Sequence, residues 1–212
     1  MILWAAGKVK VGDALRMRKS EPRIVLGSTS VYRKQLLERL GLKFVTAAPD
    51  IDESSRLDES PDNLVVRLAE SKARAVAGEF PESLVIGSDQ VACIKGKILG
   101  KPGSRSAATK QLTAASGRKV TFLTGLCLLN TATGRARTLC EPFHVHFRSL
   151  DSGQIERYLD KEKPYDCAGS FKSEGLGIAL FERLEGNDPN ALVGLPLIRL
   201  VQLLANEGVE VP

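Results

Sequence analysis

The chain has 212 residues, of which 43% are hydrophobic and 26% charged, a mixture that suits one globular domain or one domain of two lobes. No apolar run of about 18 residues occurs, so we expect no membrane span. The net charge of +5 favours anionic partners, but it is spread along the chain and only 5% of residues are aromatic, which argues against a nucleic-acid binder. The four cysteines form no CxxC pair, a pattern typical of reduced thiols in a cytoplasmic protein.

Residues 1–20 read as an N-terminal extension that we expect to be flexible, and residues 21–212 as the folded domain. In the domain, hydrophobic periodicity and turn residues predict alternating strands and helices. The predicted elements, in chain order, are strand 23–26, helix 31–40, strand 44–47, helix 61–77, strand 83–93 broken at residues 87–90, helix 104–115, strands 119–130 and 135–148, helix 151–160, strand 178–184 and helix 195–207. Residues 95–103 and 164–177 are predicted loops. Alternating elements plus one antiparallel hairpin predict an α/β fold with a mixed, twisted central sheet flanked by helices.

The run GSTSVYR at residues 27–33 follows the first strand and opens a helix. Backbone N–H groups at a helix start favour an anion. Ser28 and Ser30 add hydroxyl donors, and Arg33 can add a bidentate phosphate contact. The alternative for this run is an ordinary serine cap with a surface arginine.

Acidic and basic residues elsewhere suit the same kind of ligand. Three carboxylates in four residues, at Asp50, Asp52 and Glu53, can hold Mg²⁺ or Mn²⁺ or can form a solvated loop. Asp89 lies in an apolar strand, where a carboxylate is costly unless it is paired or metal-bound, so it is a candidate general base or metal ligand. Lys101, fixed between a glycine and a proline, and Lys72 are candidate charges for a polyphosphate.

Together these motifs resemble the Maf family of nucleotide pyrophosphatases. The matching runs, in order, are GSTSxxR at 27–33, DxDE at 50–53, RLAxxKA at 67–73, GSDQ at 87–90, GKP at 100–102, AGSFKSEG at 168–175 and LVGLP at 192–196. The resemblance covers the chain from about residue 23 onward. It implies a Maf/ITPase-like fold of two lobes with a cleft between them, and a possible homodimer.

The resemblance also implies a metal-dependent hydrolase that splits a nucleoside triphosphate into a monophosphate and pyrophosphate, removing non-standard nucleotides. Asp89 would activate water, Glu53 and Asp89 would hold Mg²⁺ or Mn²⁺, and Lys101 would act with them. The triphosphate would be held by a set of four further side chains: Ser28, Ser30, Arg33 and Lys72.

Three positions separate branches of the family, and here they are Tyr32, Gln90 and Glu174. The branch acting on dTTP and UTP has an arginine at the Tyr32 position. The set in this chain resembles the branch acting on 7-methyl-GTP, although that branch usually has tryptophan there. An aromatic face attracts the cationic 7-methylguanine ring, and Glu174 can accept hydrogen bonds from its N–H groups. The alternatives are a dTTP/UTP pyrophosphatase or a non-catalytic nucleotide-binding regulator of cell division.

Overall fold

The computed structural model describes residues 22–211, so the predicted extension at 1–20 lies outside the described residues. Six helices and seven strands alternate along this part of the chain. The strands are β1 (Arg23–Gly27), β2 (Phe44–Ala47), β3 (Ser83–Ile94), β4 (Lys97–Leu99), β5 (Lys119–Asn130), β6 (Arg135–Phe147) and β7 (Phe181–Gly186). The helices are α1 (Val31–Glu38), α2 (Pro61–Ala77), α3 (Arg105–Ala115), α4 (Ser152–Glu162), α5 (Pro189–Val193) and α6 (Leu197–Ala205).

All seven strands join one mixed sheet in the order β2-β1-β3-β5-β6-β7, with β4 paired to the far end of β3. Strand β1 runs parallel to β2 and β3, and every other described pair is antiparallel. The predicted α/β class with a mixed sheet and flanking helices is therefore confirmed. None of the described helices combines the length and apolar character that crossing a bilayer requires.

Helix α2 crosses the sheet directly over two glycines. A Cβ at Gly87 would lie 2.0 Å from the carbonyl oxygen of Ala69, and one at Gly125 would lie 2.0 Å from that of Val65. Only glycine permits this approach of helix to sheet. The expected break in strand 83–93 was therefore wrong: β3 continues through Gly87 because the glycine makes room for the helix and its backbone stays paired on both sides.

Three shorter features also differ from the predictions. Residues 97–99, expected in a loop, pair with β3 as β4. Residues 178–180 form a 3₁₀ turn, so β7 begins only at Phe181. The short helix α5 was missed because its sequence carries a proline and too few residues for a periodic signal.

Three hydrophobic clusters form the core of the described residues; one lies between α2 and the sheet, and the other two lie in two lobes. One packs α1 and α6 on β1, β3 and β5, with fully buried Leu37, Ile86 and Leu200. The other packs α3 and α4 against the opposite end of β5 and β6, around Phe122 and Leu159. Residues from both lobes line a cleft at Ser88–Val91, where β3 lacks a neighbour on one edge because β1 ends opposite Gly87 and β4 pairs only from Ala92 onward.

Candidate active site

The turn between β1 and α1 forms one wall of the cleft. Ser30 caps α1 by accepting a hydrogen bond from the Arg33 backbone N–H at 3.4 Å. The Ser28 hydroxyl, almost fully buried, accepts from the Ser30 N–H at 3.1 Å and, at 3.5 Å, from Arg33 Nη1. Both serines and the arginine therefore lie together at the N-terminus of a helix, where partial positive charge and N–H donors favour an anion.

Arg33 is oriented by a backbone carbonyl from the far end of the chain. Its Nε donates to the Gly194 oxygen at 2.9 Å, and the Ser88 hydroxyl donates to the same oxygen at 2.9 Å. Burial lowers the pKa of Arg33, while the charges of Asp89 and Glu53 act in the opposite direction. The sequence analysis missed Ser88 and Gly194 as contributors, because no local pattern connects them to Arg33.

Lys72 lies between two carboxylates at the centre of the cleft. Its Nζ is 2.6 Å from Asp89 Oδ1 and 2.7 Å from Glu53 Oε1. Lys72 and Asp89 are only 6% and 7% exposed, so their charges are poorly screened by water. The hydrogen bond from Lys72 is the main reason that the pKa of Glu53 is lowered, and Lys101 and Arg33 add to it.

The close packing of α2 explains why this trio forms. Asp89 lies on β3 two residues beyond Gly87, over which α2 passes, and Lys72 lies on α2 one turn after Ala69. Glu53 comes from the loop before α2. The sequence left Asp89 as a candidate general base or metal ligand, and the structure gives it Lys72 as an ionic partner.

A second group of side chains lines the cleft around Tyr32. Burial, together with the charges of Cys167, Asp166 and Glu174 and a hydrogen bond with Cys167, raises the pKa of Tyr32 to about 12. Tyr32 and Glu174 therefore line the same cleft, and the charge of Glu174 makes the smallest of these contributions. Asp166 and Cys167 were not anticipated, because their loop is distant from Tyr32 in the sequence and its motif begins only at Ala168.

Gln90 and Lys101 complete the predicted set. The Gln90 side-chain amide donates to the Ala191 oxygen at 2.6 Å, the Leu192 oxygen at 3.2 Å and Thr124 Oγ1 at 3.0 Å. Its nitrogen therefore holds α5 against the sheet. Lys101 is exposed in the loop after β4 and faces the cleft near Glu53.

Ten of the predicted site residues line the same cleft, which has a volume of about 1080 Å³, whereas Asp50 and Asp52 do not line it. Glu53 and Asp89 lie near three basic groups, Arg33, Lys72 and Lys101. Tyr32 lies in another part of the cleft, near acidic side chains. The cleft thus offers a cationic region for phosphate and an aromatic, anionic region for a base. Its size suits a nucleotide.

Known proteins are similar in sequence to most of this chain. A family model described as Maf-like protein matches residues 23–207. An Alcanivorax borkumensis protein named 7-methyl-GTP pyrophosphatase is 61% identical over 196 residues, 92% of this chain and 100% of the relative. A Pseudomonas savastanoi pv. phaseolicola protein of the same name is 61% identical over 191 residues, 90% of this chain and 100% of the relative.

Among solved structures, that of the Staphylococcus aureus Ham1 protein aligns with a TM-score of 0.49 at 13% identity, over 88% of this chain and 100% of that one. The sequence relationships are far closer than this structural one. The family model spans nearly all of the described residues, and the two relatives align over their full lengths. On this basis the chain belongs to the family of Maf-like proteins.

Proposed function

We propose that this protein is a nucleoside-triphosphate pyrophosphatase that hydrolyses 7-methyl-GTP to 7-methyl-GMP and pyrophosphate. The reaction type is inferred from the buried Asp89 carboxylate, which contacts Lys72. This carboxylate and the N-terminus of α1 line the same cleft. The observation that carries the substrate is the name of the relatives at 61% identity, together with the aromatic and acidic surrounding of Tyr32.

The phosphates bind in the cationic region. Arg33 and the N–H groups of α1 hold phosphate oxygens, and Ser28 and Ser30 add hydroxyl donors. Lys72 and Lys101 neutralise the charge that develops as the bond between the α and β phosphates breaks. Because phosphoryl transfer depends mainly on positioning and charge neutralisation, this set supplies most of what the reaction needs.

Asp89 is the proton acceptor. A water molecule attacks the α phosphate, Asp89 takes a proton from it, and pyrophosphate leaves with the bridging oxygen. The buried position of Asp89 between a lysine and the strand backbone fixes the carboxylate in one orientation. This fixed orientation lowers the entropy cost of aligning water for attack.

Pyrophosphatases of this family generally use a divalent metal. The residues fit one: Glu53 and Asp89 present hard oxygen donors, and both already contact one cation, the Lys72 ammonium. No group of three or more metal-ligating side chains occurs in residues 22–211, so phosphate and water oxygens would complete the coordination. Mg²⁺ or Mn²⁺ held by Glu53 and Asp89 would neutralise negative charge on the phosphates.

The base binds near Tyr32. With a pKa of about 12, Tyr32 is neutral at physiological pH, so its ring offers the base an uncharged aromatic surface. A 7-methylguanine cation gains about 0.5–2 kcal/mol from such a face. Glu174 and Asp166 add negative charge on the same side, which favours the methylated base over neutral guanine.

The experiment that tests the function is pyrophosphate release from a panel of nucleotides. The purified protein is given 7-methyl-GTP, GTP, dTTP and UTP, each with Mg²⁺ or Mn²⁺. We expect kcat/KM for 7-methyl-GTP to exceed that for the other three by at least tenfold. Preference for dTTP and UTP would assign the other branch, and binding without turnover of any nucleotide would assign a non-catalytic binder.

The role of Asp89 is tested by Asp89→Asn. The amide keeps the shape of the side chain but cannot take a proton from water. We expect pyrophosphate release to fall by about 10³-fold, while a nucleotide analogue that cannot be split still binds within about fivefold of wild type. Turnover near the wild-type rate would remove Asp89 as the base.

A further inference from the structure

Lys72 is the most constrained cation of the cleft. It rises from α2 with only 8% of its side chain exposed, and its one ammonium contacts Asp89 at 2.6 Å and Glu53 at 2.7 Å. Arg33 has a different partner, the Gly194 carbonyl. Lys101 has no ion pair within the described part of the chain. Lys72 alone therefore bridges the two carboxylates proposed as metal ligands.

This contact puts two cations in competition. A metal ion that binds Glu53 and Asp89 must displace the Lys72 ammonium from the same oxygens. A displaced and nearly buried ammonium is costly unless it finds another anion, since desolvation of an unpaired charge is expensive. The protein without a nucleotide offers no third carboxylate to Lys72 among the described residues.

A triphosphate supplies the missing anion. Its oxygens can accept the Lys72 ammonium as the carboxylates release it, and they can also complete the coordination of the metal. The triphosphate thus replaces the anionic partners that Lys72 loses and also supplies the oxygen ligands that the metal lacks. Metal and nucleotide should consequently bind with strong positive coupling, and each should raise the affinity for the other by the same factor.

We propose that Lys72 is a built-in counter-ion that keeps the free protein from binding metal alone, so that the site takes the metal–triphosphate complex as one ligand. The inference rests on the proposed function. It assigns to Lys72 a second role beyond holding phosphate.

The test measures metal binding directly. Binding of Mn²⁺ to the nucleotide-free protein is followed at pH 8 by electron paramagnetic resonance, for wild type, Lys72→Met and Lys34→Met. Methionine keeps the length of the aliphatic stem and removes the charge. Lys34→Met is the matched control, because Lys34 forms an exposed pair with Glu38 at 3.7 Å and its loss changes the net charge equally.

We expect wild type and Lys34→Met to bind Mn²⁺ more weakly than about 1 mM. Lys72→Met should bind it at least tenfold more tightly, and adding Glu53→Gln should abolish that gain. A Lys72→Met protein that is folded by circular dichroism and binds Mn²⁺ no better than wild type would overturn the proposal.

A second measurement needs no variant and decides the matter if Lys72→Met does not fold. Calorimetry of wild type with the α,β-methylene analogue of 7-methyl-GTP should show at least tenfold tighter binding when Mn²⁺ is present. Micromolar binding of Mn²⁺ to wild type alone, or no gain for the analogue, would overturn the proposal. Turnover in the nucleotide panel is independent of both results, so the proposed function can survive the failure of this inference.

Discussion

Replacing Gly87 with alanine tests the close packing that creates the site. The new Cβ would lie 2.0 Å from the Ala69 oxygen and 2.9 Å from the Ala73 nitrogen, both backbone atoms that cannot rotate away. Ordinary van der Waals contacts of a Cβ begin at about 3.4 Å, so α2 must retreat by roughly 1.4 Å. Forcing such a shift in a packed core costs about 3 kcal/mol, equivalent to a fall in Tm of about 9 °C for a protein of this size.

The same shift should damage catalysis, because Lys72 lies one turn from Ala69 and moves with the helix. A displacement of about 1 Å at a positioned group can lower kcat about 10²-fold. Thermal unfolding and pyrophosphate release measure the two effects. Gly78→Ala, at the end of the same helix, is the control: no atom lies within 4 Å of its Cβ, so Tm and kcat should stay near wild type or Tm should rise slightly.

The reasoning would be refuted if Gly87→Ala kept a Tm within about 2 °C of wild type together with a wild-type kcat. That result would mean that α2 can move without disturbing the core or the Lys72–Asp89 pair. A fall in Tm with an unchanged kcat, measured below the unfolding transition, would refute only the connection between helix position and catalysis.

Three further substitutions probe the base region and the acid response. Tyr32→Arg places a cation against the cationic base and should lower kcat/KM for 7-methyl-GTP more than tenfold relative to GTP; an equal loss on both would remove Tyr32 from the specificity argument. Asp166→Asn should raise KM for 7-methyl-GTP about threefold and leave KM for GTP unchanged, as steady-state kinetics would show. The hydrogen bond from Arg67 lowers the pKa of Glu59 from 4.5 to about 2, so its stabilisation is present above pH 4.5 and is lost as the pH falls toward 2. Glu59→Gln should flatten the dependence of Tm on pH in that window, and an unchanged profile would contradict the assignment.

Much of the site was predictable from the sequence because its motifs combine two local signals. A strand followed by serines and a helix start predicts a phosphate-binding turn wherever it occurs, since the helix supplies N–H donors without tertiary help. A carboxylate inside an apolar strand predicts a partner, because an unpaired buried charge is too costly. Ser28, Ser30, Arg33 and Asp89 were all predicted in this way, and all four line the cleft.

The predictions failed for residues whose main contacts are with a helix or strand far away in the chain. Gly87 was interpreted as a break in the strand, although its function is to admit α2. The short helix α5 has no periodic pattern, yet it is held by Gln90, and the Gly194 carbonyl that follows it orients Arg33. These contacts join segments that are far apart in the chain, so they could not be predicted from the sequence of either segment alone.

The sequence by itself determined the fold class, the serine-capped helix start after β1 and the cost of an unpaired carboxylate at Asp89, because each depends on periodicity, capping or the desolvation of a charge. Only the tertiary structure decided that the partner is Lys72 and that Glu53 shares it. It also decided that Asp166 and Cys167 adjoin Tyr32. The physical reason is that these contacts depend on how closely a helix can approach a sheet and where a strand ends beside its neighbour, and both are properties of packing between segments.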